Sequence, residues 1–157
     1  MNPYIRKLIS EHEHGLVQLG FLDDSTRRIV ERGFDEENFR MIKKSVEFIS
    51  REIREHIEAE EKNLFPIMEK RLPVSGPIEI MRSEHRILWK KMDRLAQSVY
   101  SVEEDEISRD KITLLRTSAL DVVNFLGDHI NKENSVLFQL AERILSQEEL
   151  NSLAELA

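Results

Sequence analysis

Apolar residues recur along this chain in steps of three and four, in four long runs, and that spacing commits it to amphipathic helices. The first run spans about Pro3 to Arg32, with Ile5, Leu8, Leu19 and Leu22 in phase. Gly33-Phe34-Asp35 interrupts it, and Asp35 is placed to cap a second helix reaching about Leu72. That helix carries Phe39, Ile42, Val46, Ile49, Ile53, Ile57, Leu64 and Ile67 on one stripe. Pro66 lies inside it and predicts a kink or an early end. Pro73-Val74-Ser75-Gly76-Pro77 is the strongest breaker in the chain. A third helix follows from about Ile78 to Tyr100 on Met81, Leu88, Met92, Leu95 and Val99. Ser101-Val102-Glu103-Glu104 reads as a capping box opening the next segment. The fourth helix is strongest from Ile112 to about Leu145 on Leu115, Ala119, Val122, Leu126, Leu137 and Leu140. Ser146 with Glu149 caps a short final helix. Short connections between long helices predict an all-α fold: an up-down-up-down antiparallel four-helix bundle with a short C-terminal helix, one domain over residues 1–157.

Composition narrows the function. Charged residues make up 34% of the chain, and 30 acidic against 23 basic side chains leave a net charge of −7, which disfavours a nucleic-acid partner. There is no cysteine, so disulfides, thiolate metal sites and a cysteine nucleophile are excluded, and any metal must take nitrogen and oxygen ligands. The opening residues MNPYIRKLISEHEH lack the apolar run of a signal peptide, and no stretch approaches a membrane span, so the expectation is a soluble cytoplasmic protein without a membrane partner.

The informative residues are polar ones that fall on the apolar stripes. In the second helix the steps 53, 56, 60, 64 pass through His56 and Glu60; in the fourth, 126, 129, 133, 137 pass through His129 and Glu133. The first stripe passes through His12 and the third through His85. A carboxylate in an apolar core is costly unless paired or bound to metal, and two facing carboxylates repel until one takes a proton. A pair of dications removes both problems. In each H-x-x-x-E the i, i+4 spacing puts both side chains on one helix face.

An internal repeat sharpens this. Adding 73 to His12, His56 and Glu60 gives His85, His129 and Glu133; Ser10-Glu11-His12 recurs as Ser83-Glu84-His85, and Leu64-Phe65 as Leu137-Phe138. Helix pairs 3–72 and 78–145 thus offer matched ligands, as a two-ion site near a pseudo-twofold axis requires. His14 sits about 200° around the helix from His12 and should stay off that site, unless Gly15 distorts the helix. Gly15 stands where the repeat has Leu88, leaving room for a small ligand or for close helix packing. Glu11, Glu52 and Glu84 lie beside or one turn from ligand histidines and could accept an imidazole N–H. Trp89 is read as a core residue or a pocket wall.

These motifs resemble the hemerythrin-like, HHE cation-binding family over about residues 4–145: Glu11-His12, His56 to Glu60 followed by Leu64-Phe65-Pro66, Glu84-His85, and His129 to Glu133 followed by Leu137-Phe138. The resemblance implies two iron ions in a four-helix bundle, bridged by Glu60 and Glu133, with the four histidines as terminal ligands. Zinc or manganese could substitute at such ligands. Oxygen-carrying members have a second histidine four residues after the helix-3 ligand, where this chain has Trp89, and an H-x-x-x-x-D motif where it has His129 to Glu133. Fewer histidines leave open positions on the metal. The resemblance therefore implies a di-iron protein that binds, senses or reacts with O2, NO or peroxide behind an apolar wall of Phe65, Trp89, Phe125 and Phe138. The alternative is iron handling, or iron–sulfur cluster repair under nitrosative stress. A metal-free helical interaction module is the remaining reading.

Overall fold

Asn2 starts the first helix by accepting the Tyr4 N–H at 2.8 Å, and Pro3 occupies the first turn, where its missing N–H is not needed. This helix, α1, is Pro3–Arg32. Asp35 caps α2 (residues 36–71) through the Glu37 N–H at 2.9 Å. Then come α3 (Gly76–Glu104), α4 (residues 109–144) and α5 (Gln147–Glu155). The computed structural model describes all residues but Ser75, Asp105 and Ala157, and among the described residues the chain is all-helical, with five helices and no strand. Ser146 and Glu149 form the expected capping box, with hydrogen bonds of 3.1 and 3.0 Å.

Three expectations need correction. Pro66 neither ends nor breaks α2, which continues to Arg71. It follows a π-helical turn, Glu60–Leu64, in which the Phe65 N–H bonds to the Glu60 carbonyl. Such a turn already leaves a carbonyl without an amide partner, so a residue lacking an N–H is accommodated there. The matching turn in α4, Glu133–Leu137, precedes Gln139 at the corresponding place, so proline is not its cause. Each of these turns begins on a core glutamate and adds a residue to the turn. The buried face slips by one: Met68 and Ala141 are fully buried, whereas Ile67 and Leu140 are only partly so. A further π turn, Ile49–Ile53, has no counterpart in α4, which is α-helical from Arg109 to Lys132.

Ser101–Glu104 does not open a new segment. It forms the last turn of α3, held there by Val102, which is buried in phase with Val99 and Leu95. The cap of α4 is Ser108, accepting from the Lys111 N–H at 3.3 Å. In the expected breaker, Pro73 and Val74 lie outside the helices, Ser75 is outside the described residues, and Gly76 and Pro77 open α3.

Contacts between helices pair low residue numbers with high ones. Asn2 meets Glu142 (2.6 Å) and Asp23 meets Arg116 (2.7 Å) between α1 and α4. Lys91 meets Asp121 and Ser98 meets Ser118 between α3 and α4 (2.8 and 2.9 Å), while Glu69 meets Arg82 (2.6 Å) between α2 and α3. The apolar core falls into two clusters. One includes Leu22, Ile42, Leu95 and Val122; the other includes Leu8, Leu64, Phe65, Phe138 and Leu150. The buried histidines and glutamates occupy the layer between them. Among the described residues no helix is long and apolar enough to cross a membrane.

Gly15 is buried, and a Cβ there would lie 3.0 Å from Ile53 Cδ1, at the π turn of α2. Close packing of α1 on α2, rather than room for a ligand, accounts for this glycine. Gly15→Leu, the residue the repeat carries at Leu88, should therefore overpack the site and cost about 1–3 kcal/mol in chemical denaturation. Unchanged or increased stability would contradict the packing reading.

Candidate metal centre

The six residues on the polar stripe positions meet in one layer. His12, His56, Glu60, His85, His129 and Glu133 are each at most 4% exposed. His12, His56, Glu60 and Glu133 form one group whose possible ligand atoms lie within 4.8 Å of one another; His85, His129 and Glu133 form a second. Glu133 belongs to both. Glu60 lies 2.6 Å from His56 Nε2 and 3.5 Å from His85 Nε2, so it too reaches from one half to the other. Glu133 touches His129 Nε2 and lies 3.8 Å from His12 Nε2.

The outward nitrogens are all engaged, in a crossed pattern. His56 Nδ1 lies 2.5 Å from Glu11 and its repeat mate His129 Nδ1 lies 2.9 Å from Glu84. His12 Nδ1 lies 2.7 Å from Asn134 and its mate His85 Nδ1 lies 2.8 Å from Glu61. These acceptors hold a proton on Nδ1 and turn the Nε2 lone pairs inward. Inside, partners are lacking. His56 Nε2 and both carboxylate oxygens of Glu60 and of Glu133 are buried without a hydrogen bond. His85 Nε2 faces His129 Nε2 at 3.1 Å, an unfavourable meeting of two lone pairs unless one nitrogen carries a proton. Buried polar atoms that converge without bonding one another are what a cation-binding donor set looks like. The donors are imidazole and carboxylate, the chemistry that suits iron, zinc or manganese.

The electrostatics agree. Burial and the charge of Glu133 push Glu60 up to about 8. Burial also opposes ionisation of Glu133, but the contact and charge of His129 outweigh it and hold that carboxyl below its ordinary range. Burial opposes the charged form of His56, yet Glu60 and Glu11 carry it up to about 10; His129, against the same opposition, is carried to about 9 by Glu133 and Glu84. His12 is driven down to about 4, chiefly by burial.

The remaining sequence candidates divide. Glu11 and Glu84 do support histidines, though not the histidines they adjoin in sequence. Glu52 does not: it is exposed and pairs with Arg51 Nε at 3.1 Å, because the Ile49–Ile53 turn ends its phase relation to His56. His14 is exposed and lies off the cluster, as its helical angle required. Trp89 is partly buried against the core with the Arg54 guanidinium 4.4 Å over its ring, and Phe125 carries Lys91 at 5.3 Å; neither ring stacks on a site histidine. Phe138 and Phe65 do wall the centre, stacking on His12 and His85 at 5.3 and 5.8 Å between centroids. Glu61 and Asn134 were missed in the sequence. The signal was available, since 61 and 134 are repeat mates, but the side-chain types differ and hid it.

Comparison with known proteins agrees with this chemistry. The hemerythrin HHE cation binding domain matches residues 4–141. The iron-sulfur cluster repair protein YtfE of Yersinia pestis (strain Pestoides F) is 31% identical over 97 residues, and so is that of Yersinia pseudotuberculosis serotype O:1b (strain IP 31758). In each case the match covers 60% of this chain but 44% of the relative, so the match spans less than half the length of these relatives. With its histidine and glutamate layer and a match over residues 4–141, the chain belongs to the hemerythrin HHE cation-binding domain family.

Proposed function

We propose that this chain is a di-iron protein of iron handling, acting in the supply of iron to damaged iron–sulfur centres. The observation that carries the metal is the convergent set of orphaned atoms on His56, Glu60 and Glu133. His12, His56, His85 and His129 would hold the iron together with Glu60 and Glu133, the two carboxylates that reach both groups. Likeness to proteins named for iron–sulfur cluster repair favours iron supply over oxygen carriage. So does Trp89 at the position where oxygen carriers have a further histidine. Residues 1–157 form one domain, and the pairing of low with high residue numbers supports an up-down-up-down antiparallel four-helix bundle with α5 as an appendage.

Iron bound here would supply a redox-active cation with open positions for O2 or NO. The protein's own part is to hold each Nε2 inward through its Nδ1 partner, to exclude water with Phe65 and Phe138, and to neutralise the cations with two shared carboxylates. The chain has no cysteine of its own, so it would hand iron over rather than hold a cluster on thiolates. Binding of O2 or NO is the second reading, favoured by the ring-walled, buried centre.

Anaerobic reconstitution with ferrous iron tests both. Two irons per chain, and recovery of a nitric-oxide-damaged iron–sulfur enzyme that the iron-free chain does not restore, are expected. A charge-transfer band that appears under oxygen and vanishes under vacuum, with no such recovery, would favour oxygen binding instead. Less than one iron per chain would sink the metal reading. In the same assay His56→Ala and Glu133→Ala should each lower affinity at least about 10-fold, while His14→Ala leaves it unchanged. Full loss of iron in His14→Ala would overturn the ligand assignment.

Loading should also release protons. With Glu60 near 8, His129 near 9 and His56 near 10, the metal-free centre holds protons at neutral pH that a dication must displace. Affinity should therefore begin to weaken as pH falls below about 10 and fall most steeply below about 8, where all three groups hold protons. A weakly buffered titration with a pH indicator reads the release directly, and metal uptake without acidification would refute it.

A further inference from the structure

A cavity of about 210 Å³ opens between α1 and α2, closed at one side by Leu153 of α5, and reaches His56 and Glu11. Glu11, His14, Glu52 and Glu55 line it, with Lys7 3.7 Å from Glu11 and Arg51 3.1 Å from Glu52. Tyr4 also lines it. This tyrosine is 3% exposed and its hydroxyl has no hydrogen-bond partner; burial first, then the nearby charges of Glu60 and Glu11, disfavour its ionisation. A recess with acidic side chains set among Leu8, Phe48 and Ile53, and with an unpartnered buried hydroxyl, thus ends on a site histidine.

The other half of the repeat is built differently at the same positions. Ala59, on the cavity wall, corresponds to Lys132, whose Nζ binds Glu84 at 2.8 Å beside His129. Glu52 corresponds to Phe125 and His14 to Ile87, while Glu55 corresponds to Asp128 and Phe48 to Asp121. Both halves therefore carry acidic side chains here; what distinguishes the second is a lysine over its Glu–His couple, where the first has a small residue and an opening.

We propose that this cavity is the portal through which a divalent cation, ferrous iron in the reading above, enters and leaves the buried centre. Three carboxylates, a histidine and a neutral tyrosine hydroxyl attract and pass a hydrated cation; a neutral diatomic would gain nothing from them. The Glu11–His56 couple is the last contact before the centre, and the small Ala59 keeps the way clear. The portal rests on the metal reading, and it makes access one-sided in a molecule whose ligands are two-sided.

Stopped-flow loading with ferrous iron under anaerobic conditions, followed by release to a chelator, tests it. Ala59→Lys copies the second half into the first and should slow both loading and release about tenfold, with the final metal content unchanged. Glu52→Gln/Glu55→Gln should slow loading several-fold at low salt and flatten its salt dependence; this double variant keeps the test alive if Ala59→Lys fails to fold. An Ala59→Lys protein that fills its site at the wild-type rate would overturn the portal alone. A wild-type chain that takes up no metal would overturn the portal and the metal reading together.

Discussion

Two carboxylates, Glu60 and Glu133, lie fully inside an apolar core with no hydrogen bond to any of their four oxygens. An orphaned buried acceptor costs about 1–3 kcal/mol, and more when charged. The surrounding structure is a set of answers to that cost. The polar layer is confined between two apolar clusters, so the helices can pack normally on both sides of it. Imidazole nitrogens are brought to both glutamates from both halves. The remaining deficit is one that positive charge at the centre removes, and water does not fit easily among stacked phenyl rings.

The backbone carries the same signature. The two π turns that share a repeat register begin on these glutamates. A π turn is seldom kept without a local use, and here its use is geometric. The glutamate already shares an inward face with its histidine through i, i+4 spacing, and the π turn that follows shifts the register so that Met68 and Ala141, rather than Ile67 and Leu140, join Leu64-Phe65 and Leu137-Phe138 in the core. Phe65 and Phe138 thereby reach the histidines of the opposite half, and Glu61 and Asn134 reach the outward nitrogens of the same histidines.

That crossing marks where sequence reasoning stops. His12, His56, His85 and His129 were legible because each sits in phase with apolar neighbours, and Glu60 and Glu133 because each follows a histidine by one turn. The repeat made them a set. Helix ends at Asn2, Asp35 and Ser146 were marked by side chains that cap locally, and only Asp35 and Ser146 were read from them. Partners across helices depend on rotation and axial offset, which no periodicity encodes, so Glu11 reads in the sequence as an acceptor beside a ligand histidine without showing that the histidine it serves is His56. The π turns were invisible for a related reason: the 3.6-residue pattern assumes one hydrogen-bond register, and a one-residue slip looks like noise in a stripe that still contains Ile67 and Leu140. The Ser101–Glu104 motif misled because a capping signal is local, whereas Val102 gains more from the core than the cap would supply.

The halves match in their inward ligands but not in what backs them. His85 and His129 both lean on carboxylates, Glu61 and Glu84, while His12 leans on the amide of Asn134 and only His56 has a carboxylate behind it. A carboxylate partner makes an imidazole a stronger donor than an amide does. The support behind His12 is thus weaker than that behind His85, although the His12 and His56 group gathers four candidate donor residues against three. The acidic cavity reaches His56, in the same group as His12, and Lys132 binds Glu84 beside His129, in the other. Under the proposed iron-supplying role, the cation on the cavity side would be the exchangeable one. Two departures from the repeat, Glu61 against Asn134 and Ala59 against Lys132, point in that one direction from opposite sides of the site.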